Sequence, residues 1–533
     1  MQHTQSAPRQ ARSVPTLRRL GTALALTLTL LTASASALDD DDGGLQAQVR
    51  LPKNLSAYVR DMDSAIALGK ALYWEEAAGS DGRVSCATCH WAAGADVRVE
   101  DSINPGPNGI FEEDGTRWPF ESDDIFGSQG VALAEFEAIV PGQAVEMGTP
   151  EHHPIFGDKR QVTGRNAPSA VNAAVYRLQF WDGRAANTFN GVNGSGSSDS
   201  SARLLEADGN GGVKKVKVAI QDASLASQAV GPVLSEVEMS FAGRTLPDVG
   251  KKLFSLQPLA RQVVHPEDSV LGPYKTNSTR TGLAISYGRL VREAFQPRWW
   301  DSDVVVDRDL NVVGAGDPQS LDEFTLMESN FSLFWGLAIN LYEATLIADQ
   351  SPYDAFLAGD SNALSQSAKR GLEVYEGDGR CDKCHMDGPA LSAAASDDSR
   401  AFTNTGVRPV NEDPGKGDGE FKSVTVRLNE LNGPYFHTGG YLTLRQVVDF
   451  YDRGGDFPND ETDSQVRELE LTEKEKNDLV QFMLETTDPR VTYQAAPFDH
   501  PSLNLPGGGR LRATGAAGGA PLQPFLNADP FEK

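Results

Sequence analysis

Cysteine is almost absent from this chain. It occurs four times among 533 residues, always within one pattern. The two copies of the pattern are Cys86-Ala-Thr-Cys89-His90 and Cys381-Asp-Lys-Cys384-His385. No cysteine is left to form a disulfide. In a CxxCH motif both thiols add to the vinyl groups of a haem, and the adjacent histidine ligates the iron. A zinc site requires a different spacing, and a redox dithiol lacks the trailing histidine. The two motifs therefore predict two covalently bound haem c groups, with His90 and His385 as iron ligands.

Long apolar runs are also missing, except near the N-terminus. Four arginines precede an apolar stretch from Leu20 to Leu31, and a small-residue sequence follows at Ala35-Ser-Ala37. This order is typical of a secretory signal peptide, which we place at residues 1–37. Covalent haem and export together predict a periplasmic protein. No later segment approaches the length of about 18 apolar residues that a membrane span needs, so none is predicted.

Positive charge is scarce. The chain has 48 Lys and Arg against 74 Asp and Glu, for a net charge of −26. Removal of the signal peptide would make this more negative, because that segment contains arginines but no acidic residue. Such a surface disfavours nucleic acid and anionic lipid. It suits a basic partner such as a small cationic cytochrome, although solubility alone explains the charge equally well.

Length and motif spacing predict two domains with one haem each. We place an N-terminal cytochrome c-like domain at residues 38–340, a C-terminal one at 341–490, and a Pro/Gly-rich tail at 491–533. Helical patterns precede both motifs, at residues 64–73 and 368–375, and strand signals are few and short. The expected fold is mainly α with long loop insertions. Segments rich in Gly, Ser, Asn, Asp or Pro are expected to lie outside the core, namely residues 112–124, 190–212, 455–464 and 505–521.

Several further motifs occur in a fixed order around the two CxxCH sequences. They are Leu68-Gly-Lys-Ala-Leu72, Gly164-Arg-Asn-Ala-Pro168, Phe180-Trp-Asp-Gly-Arg-Ala185, Gln228-Ala-Val-Gly-Pro232 with Glu238-Met239, Gly433-Pro-Tyr-Phe-His437 and Leu444-Arg-Gln-Val-Val448. In this order they resemble the bacterial dihaem cytochrome c peroxidase and MauG family, from about Leu51 to Thr487. The resemblance implies a peroxidase that acts on hydrogen peroxide. A homodimer is compatible with it.

In this family the first haem, here on His90, is the site of peroxide cleavage. The resemblance assigns Gln228 and Glu238 to its open side, with Glu238 as general acid and base, and Pro232 to the same pocket. Without the resemblance, Glu238 would be read as one of many surface acids. Trp181 matches the tryptophan that carries electrons between the haems, although a tryptophan in such a motif also serves as core packing.

The resemblance also implies a calcium ion between the domains. Its ligands would be Asn166 and the backbone oxygens of Asn432 and Pro434, which are neutral donors of the kind that calcium accepts. The family usually has threonine at the position of Asn432. A carbonyl ligand does not depend on that side chain.

The sixth ligand of the second haem lies, in this family, fourteen residues beyond the histidine that corresponds to His437, which gives Tyr451. Peroxidases have methionine at this position, and MauG-type proteins have tyrosine. Tyr451 shares an apolar helical face with Leu444, Val447 and Val448, so it can point inward. The alternative is a core aromatic with the iron ligated otherwise.

The ligand determines the expected chemistry, because thioether sulfur favours reduced iron and phenolate oxygen favours oxidised iron. A tyrosine-ligated haem would store an oxidising equivalent, as MauG-type proteins do when they oxidise a side chain of another protein. MauG has a tryptophan two positions before its second CxxCH, where this chain has Gly379. A long-range route would therefore have to differ.

The leading hypothesis is a periplasmic dihaem peroxidase that receives electrons from a small c-type cytochrome, another periplasmic redox protein or a protein side chain. One alternative is a dihaem oxygenase of the rubber-oxygenase type. Another is a non-catalytic electron carrier, which Gln228 and Glu238 argue against. His152 and His153 lie roughly where some peroxidases have a removable histidine ligand, but their spacing to Asn166 does not match and a solvated loop is the default.

Overall fold

The computed structural model describes residues 44–275, 280–386, 388–396, 398–507 and 509–533. The predicted signal peptide at residues 1–37 lies outside the described residues. Within the described ranges, no helix combines the length and the apolar character needed to cross a membrane.

Helices form most of the regular structure, which confirms the mainly α prediction. The α-helices of the described residues are α1 Met62–Trp74, α2 Cys86–His90, α3 Ser224–Ala229, α4 Leu246–Phe254, α5 Tyr287–Ala294, α6 Leu326–Ser329, α7 Phe331–Glu343, α8 Pro352–Leu357, α9 Gln366–Glu376, α10 Asp382–His385, α11 Leu444–Asp452, α12 Glu473–Leu484 and α13 Pro489–Thr492. The patterns at residues 64–73 and 368–375 correspond to α1 and α9.

The strands are short, as expected, and form small separate sheets. They are β1 Ile103–Asn104, β2 Ile125–Phe126, β3 Gln129–Ala132, β4 Ala134–Ala138, β5 Met147–Pro150, β6 Arg160–Val162, β7 Leu204–Ala207, β8 Val213–Val216, β9 Val304–Val306, β10 Val312–Ala315, β11 Phe324–Thr325, β12 Phe402–Thr403, β13 Phe421–Lys422, β14 Leu503–Leu505 and β15 Gly509–Leu511. The described sheets have two strands each, except for the three-stranded sheet β10-β9-β11.

A large core surrounds the helix that leads to the first motif. Helix α1 begins after Asp61, whose carboxylate accepts the amide N–H of Ser64 at 2.8 Å. It packs against α7 so closely that a Cβ added at Gly69 would lie 1.9 Å from the carbonyl oxygen of Ala338. Glycine is therefore required at this crossing, and residues of α1, α3, α4, α5 and α7 share one hydrophobic cluster.

A second, smaller core repeats this arrangement around the helix that leads to the second motif. Helix α9 packs against α12, and a Cβ added at Gly371 would lie 2.0 Å from the carbonyl oxygen of Asp478. The two helices contribute to a separate hydrophobic cluster with α8 and α11. The boundary predicted between residues 340 and 341 lies inside α7, so any division into domains has to fall after this helix. The division itself stays a prediction.

The expectation that the C-terminal tail and residues 190–212 lie outside the core is wrong in part. Leu204 and Leu205 of β7 are buried, and in β14 Leu505, at the start of the segment 505–521, joins the large cluster around α1 together with Leu503. Asn504, the next residue, donates from its backbone N–H to Glu76 at 2.7 Å. A strand of three residues is too short to give a recognisable alternating pattern in a segment rich in Pro and Gly.

Candidate functional site

The first CxxCH motif is a single helical turn with a reinforced start. Ser85 precedes α2, and its backbone N–H donates to the Thr88 hydroxyl at 2.9 Å, as one half of a capping box. At the other end, His90 Nδ1 lies 3.0 Å from the carbonyl oxygen of Gly94. When Nδ1–H donates to this carbonyl, Nε2 keeps its lone pair, which is the tautomer that an iron ligand needs.

The thiols of the first motif lie in a low-polarity environment. Burial raises the pKa of Cys86, and it raises the pKa of Cys89 to about 12 although Arg98 opposes the shift. Arg98 is buried beside Cys89, with Nη2 3.6 Å from Sγ, and it pairs with Asp96 at 2.6 Å. Sequence reasoning missed this ion pair, because nothing in the local pattern distinguishes it from the many surface charges.

Glu238 lies close to the first motif, where the resemblance places it. Its carboxylate is near enough to raise the pKa of both Cys86 and Cys89. Burial raises the pKa of Glu238 itself, while a hydrogen bond from Ser235 and the positive charge of Arg184 lower it. A half-buried carboxyl group with a raised pKa is a candidate for a group that holds and releases a proton.

Gln228 and Pro232 belong to the segment that leads to Glu238. Gln228 lies on α3, whose partner α7 holds it through the indole N–H of Trp335, which donates to the Ala229 carbonyl at 2.8 Å. Pro232 begins the following helical turn, Pro232–Leu234. The three residues assigned to the open side of the first haem are thus close in the chain. Of the three, Glu238 is the one whose electrostatic effect on the thiols is evident.

A short extended segment, residues 166–170, contacts the surroundings of both motifs. On one side the Ser169 hydroxyl donates to the Ala93 carbonyl at 2.8 Å, and the Ala170 N–H donates to the Gly94 carbonyl at 2.9 Å. On the other side, the indole N–H of Trp181 donates to the Asn166 carbonyl at 2.8 Å. Residues 166–169 also line the cavity of the second motif.

Trp181 lies in the same connection. Its side chain lines the cavity of the second motif, while the ring of the preceding residue, Phe180, lies against Gly231 just before Pro232. A Cβ added at Gly231 would be 3.6 Å from the Phe180 Cζ atom. The pair Phe180 and Trp181 therefore reaches from the segment before Glu238 to the second cavity.

The second CxxCH motif opens onto a deep cavity. His385, at the end of α10, has its Nδ1 2.8 Å from the Val424 carbonyl oxygen, so that Nε2 is again available. Tyr451 of α11 lines the same cavity as Cys381, Cys384 and His385. Burial is the largest cause that raises the pKa of Tyr451, and the two cysteines add to it. The structure thus brings the predicted sixth ligand to the cavity of the second motif.

The side chains that line this cavity suit a haem. The lining includes no aspartate or glutamate, but it includes the cations Arg380 and Lys422. Arg380 Nε is buried and has no hydrogen-bond partner among the described residues. Lys422 Nζ lies 3.4 Å from the Leu178 carbonyl oxygen and 4.5 Å from the centroid of the Tyr176 ring. Burial lowers the pKa of Lys422 to about 7, and an anionic group beside it would favour its charged form. Two basic side chains in a cavity lining without carboxylates match the two propionates that a haem carries.

The three residues assigned to calcium meet at the edge of this cavity. Asn166, Asn432 and Pro434 all line it, and the Asn432 Oδ1 atom is buried without a hydrogen-bond partner among the described residues. This set of neutral oxygens is compatible with calcium. His437, next to them, stacks on Phe421 at 3.5 Å, and burial lowers its pKa to about 3, so it is neutral at physiological pH.

Two further predictions concern the loop histidines, His152 and His153, and the position of Gly379. His152 is exposed and pairs with Asp158 at 2.9 Å, and His153 accepts the N–H groups of Ile155 and Phe156 within the same loop. A side chain at Gly379 would meet the Val374 carbonyl oxygen at 2.7 Å. The MauG-type tryptophan therefore cannot be accommodated at that position without a backbone shift.

The first CxxCH motif lies near a half-buried acid, and the second shares a cavity with a tyrosine. Two such motifs, each with a histidine oriented by a carbonyl, define a dihaem c-type cytochrome. Residues 63–265, which include the first motif, match the model of a family described as di-haem cytochrome c peroxidase. This match covers less than half of the chain and shows that the segment is similar to a family of two-haem proteins. The second motif lies beyond the matched segment.

Curated relatives agree with this assignment. Cytochrome-c peroxidase IdrP1 of Pseudomonas sp. (strain SCT) is 29% identical over 236 residues, which are 38% of this chain and 57% of that protein. MauG of Methylorubrum extorquens is 29% identical over 191 residues, 34% of this chain and 51% of that protein. The chain thus spans about half the length of the curated relatives it matches.

Among solved structures, a MauG-like protein associated with microbial copper homeostasis aligns with a TM-score of 0.47 at 17% identity, covering 84% of this chain and 95% of that one. The dihaem peroxidase BthA of Burkholderia thailandensis aligns with a TM-score of 0.42 at 17% identity, covering 84% of this chain and 90% of that one.

Proposed function

We propose that the protein is a periplasmic dihaem peroxidase that reduces hydrogen peroxide at the haem attached to Cys86 and Cys89. The observation that carries the proposal is the half-buried carboxyl group of Glu238, which lies close enough to both thiols to raise their pKa. An electron carrier without turnover has no need for an acid at this position.

The proposed role of Glu238 is to move a proton between the two oxygens of bound peroxide. The Glu238 carboxyl group would take a proton from one peroxide oxygen and give it to the other, which leaves as water. Over a full cycle, one peroxide, two electrons and two protons become two waters. The haem, when bound, supplies the redox chemistry. Gln228 and Pro232 would shape the pocket that orients the peroxide beside Glu238.

Electrons would reach the first site through Trp181 and the second haem. Support for this route comes from the continuous contacts from the Gly94 carbonyl through residues 166–170 to the Trp181 indole. Tyr451 would be the sixth ligand of the second haem, and Lys422 and Arg380 would face its propionates. Asn166, with the backbone oxygens of Asn432 and Pro434, would hold a calcium ion where these parts meet.

The electron donor would be a small cationic cytochrome or a side chain of another protein. A phenolate ligand favours oxidised iron, so Tyr451 supports the MauG-like version of the function. The crowded position of Gly379 means that oxidation of a protein partner would have to use a different exit. Export by the predicted signal peptide, residues 1–37, fits with the covalent attachment of haem in the periplasm.

The test is stopped-flow absorbance of the fully oxidised protein after mixing with one equivalent of hydrogen peroxide. We expect a prompt change in the haem spectrum that persists after the peroxide is consumed. In Tyr451→Met the persistence should be lost, because a thioether ligand favours reduced iron. If the oxidised wild-type protein does not react until one haem is reduced, the MauG-like version and the assignment of Tyr451 are both wrong.

A further inference from the structure

The loop between β1 and β2, residues 105–124, is an ordered insertion beside the second cavity. It closes tightly at its base, where a Cβ added at Gly106 would lie 2.1 Å from the Asp123 carbonyl oxygen. The Phe120 N–H donates to the Gly440 carbonyl at 2.8 Å, and the Phe126 N–H donates to the Thr438 carbonyl at 2.8 Å. The loop therefore rests on the segment that follows His437.

Three carboxylates of this loop converge. One oxygen from each of Glu112, Asp123 and Asp124 lies within 4.8 Å of the other two, and within the described ranges no other group of three metal-ligating side chains does so. Oxygens bound to one Ca²⁺ ion at about 2.3–2.6 Å lie at most about 5.2 Å apart. The spacing is therefore compatible with a single ion shared by the three side chains.

Asp124 provides an independent indication of a missing ligand. It is 2% exposed, and its Oδ2 accepts the N–H groups of Glu112 and Glu113 at 2.8 and 2.7 Å. Its Oδ1 is buried and has no hydrogen-bond partner among the described residues. Burial raises the pKa of Asp124, and the negative charges of Glu112 and Glu113 add to this effect. A buried carboxylate oxygen without a partner is costly unless a cation or a donor satisfies it.

Protein cations do not neutralise this cluster. Across the part of the chain that the structure describes, no Lys, Arg or His forms an ion pair with Glu112, Asp123 or Asp124. The polar group between them is neutral: the Asn108 amide donates to Asp123 at 2.6 Å and to Glu112 at 3.1 Å. The amide bridges two of the three carboxylates, and all three lie close enough to repel each other, which a divalent cation would counter.

We propose that Glu112, Asp123 and Asp124 bind a Ca²⁺ ion, separate from the one assigned to Asn166. Carboxylate oxygens are the ligands of hard cations, whereas zinc prefers nitrogen and sulfur. Calcium tolerates irregular geometry and takes six to eight oxygens, so water on the exposed side of Glu112 would complete the shell. Bound calcium would hold the loop closed against the segment Thr438–Gly440, next to His437.

The experiment measures calcium binding by the full dihaem protein. The protein is stripped with EDTA, dialysed against Ca²⁺, and its bound metal per chain is quantified. We expect the wild type to bind one more Ca²⁺ per chain than Glu112→Gln does at the same free calcium, with an affinity loss of at least tenfold at this site. Asp114→Asn, which alters an exposed acid of the same loop, should bind as the wild type does. Among the described residues, the exposed Glu112 carboxylate accepts one hydrogen bond, from the Asn108 amide, so this variant should fold.

Several outcomes would overturn the proposal. Equal calcium uptake by the wild type, Glu112→Gln and Asp124→Asn would do so, and so would equal displacement by Mg²⁺ at the same concentration. An Asn166→Ala variant separates the two sites, because it should lose the other ion and keep this one. Peroxide reactivity is recorded on the same samples, to separate this site from the proposed function. A variant that takes up less calcium but reacts normally with peroxide has lost the loop site and kept the proposed function.

Discussion

The two haem-attachment units use the same means to position a CxxCH motif. In each, a helix that leads to the motif crosses a second helix at a glycine, Gly69 against α7 and Gly371 against α12. In each, Nδ1 of the histidine of the motif lies within hydrogen-bond distance of a carbonyl oxygen, that of Gly94 or that of Val424. The two units therefore hold their CxxCH motifs in the same way.

The units differ in the other residues that lie near the motif. The first has Glu238, a carboxyl group close to the thiols. The second has Tyr451 in a cavity whose lining contains two cations and no carboxylate. The same proximal design thus serves two purposes, and the residues that face it determine which haem would react with peroxide and which would hold charge.

Loss of one attachment pair should give the largest effect. Cys86→Ala with Cys89→Ala should leave one haem and abolish peroxide reactivity, because Glu238 would have no haem beside it. Cys381→Ala with Cys384→Ala should also leave one haem, but peroxide should still alter its spectrum. Haem content by absorbance and stopped-flow kinetics check both outcomes. If each single-haem protein reacts equally, the two units are not different in function.

Glu238→Gln should reduce the rate of the reaction with peroxide by about 100- to 10,000-fold, the usual contribution of a general acid or base. The amide keeps the shape of the side chain but cannot exchange a proton. Glu236→Gln, two residues away and exposed, is the matched control and should react at the wild-type rate. Wild-type kinetics in Glu238→Gln would assign the proton transfer to another group.

Gly69→Ala and Gly371→Ala should each destabilise the unit to which they belong, by about 1–3 kcal/mol. The added methyl group would overlap a backbone carbonyl of the opposite helix, at 1.9 Å in the first unit and 2.0 Å in the second. Thermal unfolding followed in the haem bands measures the effect. Gly164→Ala is the control, because a Cβ added there meets no atom within 4 Å and should hardly change the free energy of unfolding. Gly142 is unsuited for this purpose because its φ is positive.

The smallest effect concerns acid stability of the first unit. Burial lowers the pKa of His500 to about 4, where it stacks on Trp74 at 4.7 Å. The unfolded chain, with a histidine pKa near 6.5, binds more protons below that pH, so the free energy of unfolding falls as pH drops from about 6.5 to about 4.

At pH 6 the titration of His500 should lower the free energy of unfolding of the wild type by roughly 1 kcal/mol, and by more at lower pH. His500→Gln should not show this decrease. Urea unfolding at pH 7.5, 6 and 5 measures the difference between the variant and the wild type. His152→Gln, on the exposed loop, is the control and should follow the wild-type pH dependence. A parallel pH dependence in all three proteins would exclude His500 as the source.

Local sequence patterns predicted the features that depend on residues close together in the chain. Helices α1 and α9, the two motifs and the inward position of Tyr451 all follow from spacing over a few residues. The pairing of Arg98 with Asp96 beside Cys89, the exposure of Lys422 to the second cavity and the burial of Leu503 depend on contacts across hundreds of residues. Composition misled at the tail, because glycine and proline there form turns between buried contacts.

The buried Lys70 has a consequence for the order in which the molecule can be completed. Its ammonium group lies 2.8 Å from Asp268 and 3.6 Å from Asp499, and all three side chains are inaccessible to solvent. Asp499 is separated from Lys70 by more than 400 residues of chain. The core around α1 is therefore complete only when the segment around Asp499 is in place, and Phe531 of the same tail packs against the smaller core. Both cores are thus completed by residues that follow the second motif by more than 100 positions.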